Sequence, residues 1–131
     1  MDRTSTNEET LEKRETLQLI AADKVEGTAV YNTKAEKLGS VERVMIDKSS
    51  GRVAYAVMSF GGFLGIGNQY HPLPWSVLKH DTRLGGYVVH LDKSRLERAP
   101  AYDVGTDPAW GDREYETKIH DYYGVGPYWS L

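Results

Sequence analysis

Short apolar runs alternate with polar, glycine-containing turns along most of the chain between Val25 and Leu78. The clearest run is residues 52–60, R-V-A-Y-A-V-M-S-F. Successive side chains of a strand point to opposite faces, and here both alternating sets are largely apolar. This segment is therefore predicted to be a central strand that is buried on both faces. Several such strands at short, regular spacing are typical of a small all-β barrel or sandwich.

Five more strands are predicted around this central one. Gly51 supplies a turn before it, and Pro72 and Pro74 indicate an edge strand or a strand end because proline has no N–H to donate. A hairpin around residues 83–86 joins the last two strands. The five segments are residues 28–31, 38–47, 68–74, 79–82 and 87–91.

The composition changes near both ends of the chain. Residues 1–16 are polar and contain too few apolar side chains to offset the entropy of ordering, which predicts a flexible tail. Residues 17–100 form the predicted β domain. Residues 101–131 form a C-terminal extension rich in tyrosine and tryptophan. In the extension, Asp107 as N-cap, Pro108 at the first helical position and Gly124 as a stop predict a helix over residues 108–122.

Charge and composition restrict the function classes. The 131 residues carry a net charge of −3 and no cysteine, which excludes disulfides and thiolate chemistry. Residues 17–100 carry eleven basic and eight acidic side chains, a net +3, between two acidic ends. No apolar run approaches the ~20 residues that span a bilayer, and no signal peptide is visible. We expect a cytoplasmic protein that does not insert into membranes.

No catalytic, metal-binding or cofactor-binding constellation is apparent. The glycine-rich residues 61–67 lack the Gly-Lys-Ser/Thr of a phosphate-binding loop and precede an extended segment instead of a helix. The four histidines show no zinc-ligand spacing. Nucleophilic catalysis requires a base and an orienting acid beside the nucleophile, and no such motif is present. The sequence therefore predicts a protein that is not an enzyme and holds no cofactor.

Several short motifs together resemble the PRC-barrel family. They are Gly27-x-x-Val30, L-G-S-V at residues 38–41, V-x-I-D at 44–47, G-R-V-A-Y-A-V at 51–57 and Y-H-P-L-P-W at 70–75. This domain is shared by the H subunit of photosynthetic reaction centres and the C-terminal part of a ribosome maturation factor. Residues 60–67 with the H-P-L-P-W segment resemble a stand-alone bacterial branch. The resemblance covers about residues 17–100 and implies a small six-stranded β-barrel used for binding or assembly.

Two groups of apolar side chains are candidate interaction residues. In residues 61–67, Phe63, Leu64 and Ile66 either fold onto the barrel or form a contact for another subunit. The aromatic side chains of the extension pack either on the chain's own barrel or on a partner. The candidates in the extension are Trp110, Tyr115, Tyr122, Tyr123 and Trp129.

These observations favour a non-enzymatic protein–protein interaction or assembly module that is homo-oligomeric, with a further protein partner left open. The alternative is an RNA- or ribosome-associated binding protein. It would use the basic side chains of the +3 segment, although the acidic ends oppose contact with phosphate. These basic residues are Lys34, Lys37, Arg43, Lys48, Arg52, Lys79 and Arg83.

Overall fold

One sheet contains all seven strands in the part of the chain that the structure, a computed structural model, describes: residues 15–16, 18–60 and 69–130. The order across the sheet is β5-β6-β1-β2-β3-β4-β7. Neighbouring strands are antiparallel except β1 and β6, which are parallel. The strands are β1 (Ala29–Tyr31), β2 (Lys37–Ile46), β3 (Val53–Phe60), β4 (Gln69–Pro74), β5 (Lys79–Asp81), β6 (Gly86–Val88) and β7 (Tyr102–Asp103).

The sheet is open, whereas the sequence predicts a closed barrel of six strands. The seventh strand, β7, comes from the C-terminal extension and pairs with Gln69 and Tyr70 at the start of β4. Beyond these two residues, Pro72 and Pro74 have no N–H with which to continue a ladder on that side. A 3₁₀ turn, Trp75–Val77, carries the chain from β4 into β5. No pairing among the described residues joins the outer strands β5 and β7.

β3 lies between β2 and β4, and its residues 54–58 are buried. Ala56 and Met58 belong to the main hydrophobic core. Tyr55 and Ala54 belong to a second, smaller core together with Ile119 of the extension. The prediction of a central strand buried on both faces is confirmed. The main core consists of Val25, Val30, Leu38, Val41, Ala56, Met58, Leu73, Leu78, Tyr87, Val89, Leu96 and Ala99.

The described part of the chain has three α-helices beside the sheet: α1 (Ala22–Val25), α2 (Lys93–Glu97) and α3 (Arg113–Tyr123). The two short helices, α1 and α2, each bury one side chain in the main core, Val25 and Leu96 respectively. A second 3₁₀ turn, Tyr128–Ser130, follows α3. None of the helices in the described ranges has the length and apolar character needed to cross a membrane.

The C-terminal helix begins later than the sequence predicts. Gly111 has a φ of 93°, which is incompatible with a right-handed helix, so Pro108 cannot start α3. Asp112 caps the helix instead, because its carboxylate accepts a 2.9 Å hydrogen bond from the Glu114 N–H. Gly124 ends the helix in the left-handed region at φ 70°, which confirms the predicted stop.

Gly39 is required by a close approach of two strands. A Cβ atom at this position would lie 1.9 Å from the carbonyl oxygen of Ser59, and that backbone atom cannot move away cheaply. The β1–β2 register shifts beside it, where Val30 pairs with Gly39 but Tyr31 pairs with Lys37. The irregularity beside Gly39 therefore lies in the β1–β2 ladder.

Two sequence predictions fall outside the described residues. The predicted flexible tail, residues 1–16, lies outside them except for Glu15 and Thr16. The candidate interaction residues Phe63, Leu64 and Ile66 belong to residues 61–68, which also lie outside.

Candidate functional site

The C-terminal extension packs on the second face of β3. Ile119 of α3 is completely buried against Ala54 and Tyr55. The Trp110 ring, just before the helix, lies 5.2 Å from the Tyr55 ring, centroid to centroid. The burial of both faces of β3 thus depends on residues more than 50 positions later in the chain.

A buried polar network lies within this apolar contact. The Tyr55 hydroxyl donates a 2.7 Å hydrogen bond to Glu116 Oε1 and lies 2.8 Å from His120 Nε2. Glu116 Oε2 accepts a 2.6 Å hydrogen bond from the Gly111 N–H. The side chains of Tyr55, Glu116 and His120 are at most 2% exposed. Glu116 and His120 are four residues apart on α3, so both side chains project from one face of the helix.

The imidazole of His120 meets acceptor groups at both ring nitrogens. A tyrosine hydroxyl has one hydrogen, and Tyr55 gives it to Glu116, so the Tyr55 oxygen can accept from the Nε2–H of His120. The other nitrogen, Nδ1, is buried and lies beside the Gly126 backbone, whose hydrogen bond raises the pKa of His120, as a carbonyl acceptor does. A neutral imidazole has one N–H, so it satisfies one of these two acceptors at a time.

Burial shifts the pKa values of His120 and Tyr55. Desolvation lowers the pKa of His120, although the nearby Glu116 carboxylate opposes the shift. Desolvation and the hydrogen bond to Glu116 raise the pKa of the Tyr55 hydroxyl far above its ordinary value. At neutral pH the tyrosine is a neutral donor and His120 is a neutral imidazole.

Aromatic rings surround this network. The Tyr128 ring meets the Tyr55 ring edge-on at a centroid distance of 5.6 Å, and the Trp129 ring meets the His120 ring at 5.6 Å. Arg113 lies over Trp129, with its guanidinium carbon 4.1 Å from the ring centroid. Edge-on aromatic pairs and cation–π contacts each add favourable energy beyond simple burial. The end of the chain is thereby attached to α3 and β3.

A second contact joins α3 to α2. The Tyr122 hydroxyl donates a 2.5 Å hydrogen bond to the Arg95 carbonyl oxygen, and Arg95 Nη2 donates to the Tyr122 carbonyl oxygen at 3.2 Å. The Arg95 guanidinium also lies over the Tyr122 ring at 5.2 Å. Tyr123, the next residue, packs against both hydrophobic cores and its buried hydroxyl has no partner among the described residues.

All five aromatic candidates of the extension contact their own chain. Trp110 and Tyr115 pack on the smaller core, and their rings are 6.1 Å apart. Tyr122 contacts Arg95, Tyr123 lies between the two cores, and Trp129 packs on His120. The five are half-buried, which leaves part of each side chain open to solvent.

The sequence interpretation missed Tyr55, Glu116 and His120 as a group. The sequence contained one indication of this group: a glutamate and a histidine lie one helical turn apart, beside the apolar Ile119. That signal is weak, because a buried polar pair is recognisable only when the helix face that carries it is known to be covered.

The remaining histidines and basic residues do not converge on one site. His71 is buried and its ring meets Phe60 edge-on, whereas His80 contacts Glu15. Within the described ranges, no group of three or more His, Asp or Glu side chains could hold a metal ion. The seven basic residues named above are all exposed. Around Lys34 and Arg52 they are interspersed with the carboxylates Glu36 and Asp47.

Comparisons with known proteins identify the domain. The PRC-barrel domain pattern matches residues 18–96, which is more than half of the chain. No protein of curated function matches this chain. One similar solved structure is RimM of Pseudomonas aeruginosa, described as a 16S ribosomal RNA processing protein. That match has 20% identity and a TM-score of 0.40, and it covers 62% of this chain and 49% of RimM, so the chain spans about half the length of that relative.

Proposed function

We propose, on the premise that this chain belongs to the PRC-barrel family, that it is a non-enzymatic protein–protein interaction module that associates with itself. The supporting observation is the pairing of the two strands that residues 61–68 connect. They connect β3 to β4, whose last paired residues at this end are Ser59 and Tyr70. In the sequence, Phe63, Leu64 and Ile66 belong to the connection between these two paired strands.

The neighbourhood of this connection supports a contact role. Val104, directly after β7, is 46% exposed, and the preceding residue, Asp103, pairs with Gln69 at the end of the connection. The half-buried Phe60 stands at its other end and packs on the main core. An exposed apolar side chain such as Val104 at one end of a sheet is typical of surfaces that bind proteins.

The aromatic residues of the extension have a secondary role in this proposal. Trp110, Tyr115, Tyr122, Tyr123 and Trp129 contribute to the interface only through the parts that the chain itself leaves uncovered. Since each is half-buried against its own chain, we assign the main contact to Phe63, Leu64 and Ile66.

Light scattering coupled to size exclusion tests the proposal. The wild-type chain is expected to form a dimer or larger assembly, and the double variant Leu64→Asp/Ile66→Asp is expected to be a folded monomer. Ile46→Asp is the matched control, because Ile46 is 52% exposed at the opposite end of the sheet, where it pairs with Val53. A monomeric wild-type chain would contradict self-association, and an assembled double variant would exclude these residues as the contact.

The second candidate function is binding to RNA or to a ribosomal component. The exposure of all seven basic residues in the +3 segment supports it. Such binding weakens steeply with salt, because cations are released from the phosphate backbone. An electrophoretic shift with ribosomal RNA at low salt that disappears near 0.2 M salt would support this candidate. No shift at low salt would exclude it.

A further inference from the structure

A cavity of about 400 Å³ lies between the turn that precedes β3 and the C-terminal extension. Small-molecule sites typically measure about 300–1,000 Å³ and combine apolar walls with a few polar groups. Both segments line this cavity, through Asp47, Ser50 and Arg52 of the turn and Arg113, Tyr128 and Trp129 of the extension. The cavity therefore exists only when the extension is docked.

Two guanidinium groups line the cavity from opposite segments. Arg52 belongs to the turn, and Arg113 is the first residue of α3. Neither arginine forms an ion pair with any described residue. The Arg113 guanidinium is stacked over the Trp129 ring, with its central carbon 4.1 Å from the ring centroid, and stacking leaves the N–H groups at its edge available to oxygen acceptors. One of the two cations is thus oriented before an anion arrives.

One carboxylate, Asp47, is present among the described lining residues. It accepts hydrogen bonds from the Ser49 and Ser50 N–H groups and, at 2.7 Å, from the Ser50 hydroxyl. The bond from the Ser50 hydroxyl is the largest of the causes that hold the pKa of Asp47 below its ordinary value. Asp112 and Glu114, at the start of α3, do not line the cavity. Two positive charges and one negative charge leave the lining with a net positive charge.

We propose that this cavity binds a phosphate monoester. The doubly charged phosphate group would lie between Arg52 and Arg113, and the organic part of the ester would lie against the Tyr128 ring. Guanidinium groups bind phosphate oxygens through paired N–H···O bonds, and a dianion gains more than a monoanion from two nearby cations. The inference is independent of self-association, since the Phe60–Gln69 end of the sheet takes no part in it. An RNA backbone offers singly charged phosphodiesters, so the test compares the two kinds of ester.

The probe is phenyl phosphate, titrated into the full-length protein at pH 7.5 and constant ionic strength and followed by nitrogen-correlated NMR. The second pKa of a phosphate monoester is about 6, so the probe is a dianion at this pH. A probe of this size binds in the millimolar range, and the titration therefore extends to about 20 mM. Shifts are expected at the Ser49 and Ser50 amides, at the Arg113 Nε–H and at the Trp129 indole N–H.

Two related ligands show which parts of the probe are recognised. Methyl phenyl phosphate keeps the ring but is a diester with a single negative charge, and it is expected to bind about fivefold more weakly or worse. Inorganic phosphate has no ring to lie against Tyr128, and it is expected to bind about threefold more weakly than phenyl phosphate.

Protein variants separate a specific site from general charge attraction. Arg52→Gln and Arg113→Gln are each expected to weaken the binding of phenyl phosphate by about tenfold. Arg113→Lys keeps the charge but loses the planar group stacked on Trp129, and a loss of about threefold is expected. Lys48→Gln is the matched control, because Lys48 is an exposed cation in the same turn as Arg52 and does not line the cavity. It is expected to leave the affinity unchanged.

Several outcomes would overturn the proposal. An absence of shifts up to the highest concentration would exclude the site, and an equal loss of affinity in Lys48→Gln and Arg52→Gln would reduce it to general charge attraction. Equal binding of the monoester and the diester would assign Arg52 and Arg113 to the RNA-binding candidate function instead. Inorganic phosphate that binds as tightly as phenyl phosphate would mean a site for an ion and not for an ester.

Discussion

The hydroxyl group of Tyr55 in the central strand donates a 2.7 Å hydrogen bond to Glu116 in the C-terminal helix, 61 residues later in the chain. This bond lies in a buried position where water cannot replace it. It joins the family domain, residues 18–96, to a segment outside that domain. The stability of the sheet and the attachment of α3 are therefore coupled.

Replacing Tyr55 with phenylalanine tests this coupling. The ring and its packing are kept, but Glu116 Oε1 and His120 Nε2 lose their common partner in a buried position. We expect the free energy of unfolding in urea to fall by about 1–3 kcal/mol. Tyr70→Phe is the control, because Tyr70 is a half-buried sheet tyrosine whose hydroxyl has no hydrogen bond to any described residue. Equal effects of the two substitutions would show that the network adds nothing to stability.

The pH dependence of stability follows from two buried histidines. Burial lowers the pKa of His71 and of His120, whereas a histidine in the unfolded chain titrates near 6.5. As the pH falls through about 6.5, the unfolded chain takes up protons that the folded protein does not, so the unfolded state is favoured. The free energy of unfolding should therefore be highest above pH 7 and decrease toward pH 5.

Urea unfolding between pH 7.5 and 5 measures this decrease. His71→Gln and His120→Gln should each reduce the slope, even if they also lower stability at every pH. The exposed His90 supplies the control substitution, His90→Gln. A stability that stays constant over this range would mean that neither imidazole remains neutral in the folded protein.

Gly39 gives a prediction about the sheet alone. Gly39→Ala would place a Cβ atom 1.9 Å from the Ser59 carbonyl oxygen, so β2 and β3 would have to separate locally. We expect a loss of about 1–3 kcal/mol in the free energy of unfolding. Gly126→Ala is the control, because a Cβ atom there meets nothing within 4 Å and the backbone is not in the left-handed region. Similar unfolding midpoints for the two variants would argue against this close approach.

The sequence predicted the sheet better than it predicted the site, and Tyr55 shows why. Alternation in residues 52–60 indicated burial on both faces of β3, because that pattern is local. The covering element, α3, could not be assigned, since aromatic side chains indicate burial without saying against which surface. The network of Tyr55, Glu116 and His120 was missed for the same reason: its members become neighbours only when the helix is docked.

Barrel closure was predicted wrongly for a different reason. The pattern located six strands but gave no information on which edges meet. Two-residue β7 in the extension was also invisible, because a strand of that length has no periodicity. β7 pairs only with Gln69 and Tyr70 of β4. Pro72 and Pro74 follow in β4 and have no N–H to donate, so the outer edge of β4 has no continuous ladder.

Removal of the extension tests where the folding unit ends. A chain that stops at Pro100 would keep the six strands between Ala29 and Val88 but would lose Ile119, Trp110 and the partners of the Tyr55 hydroxyl. The second face of β3, including the buried Tyr55, would then be exposed to water.

We expect the truncated chain to unfold at a lower urea concentration than the full chain and to bind a hydrophobic dye such as ANS. The matched comparison is the full chain with Tyr122→Phe, which loses one exposed hydrogen bond between α3 and Arg95 but keeps the cover. If the truncated chain were as stable as the full chain and bound no dye, the extension would be an appendage, and residues 17–100 would fold on their own. If it were destabilised as expected, the folding unit would have to include α3, because the aromatic cover of β3 is then part of the core.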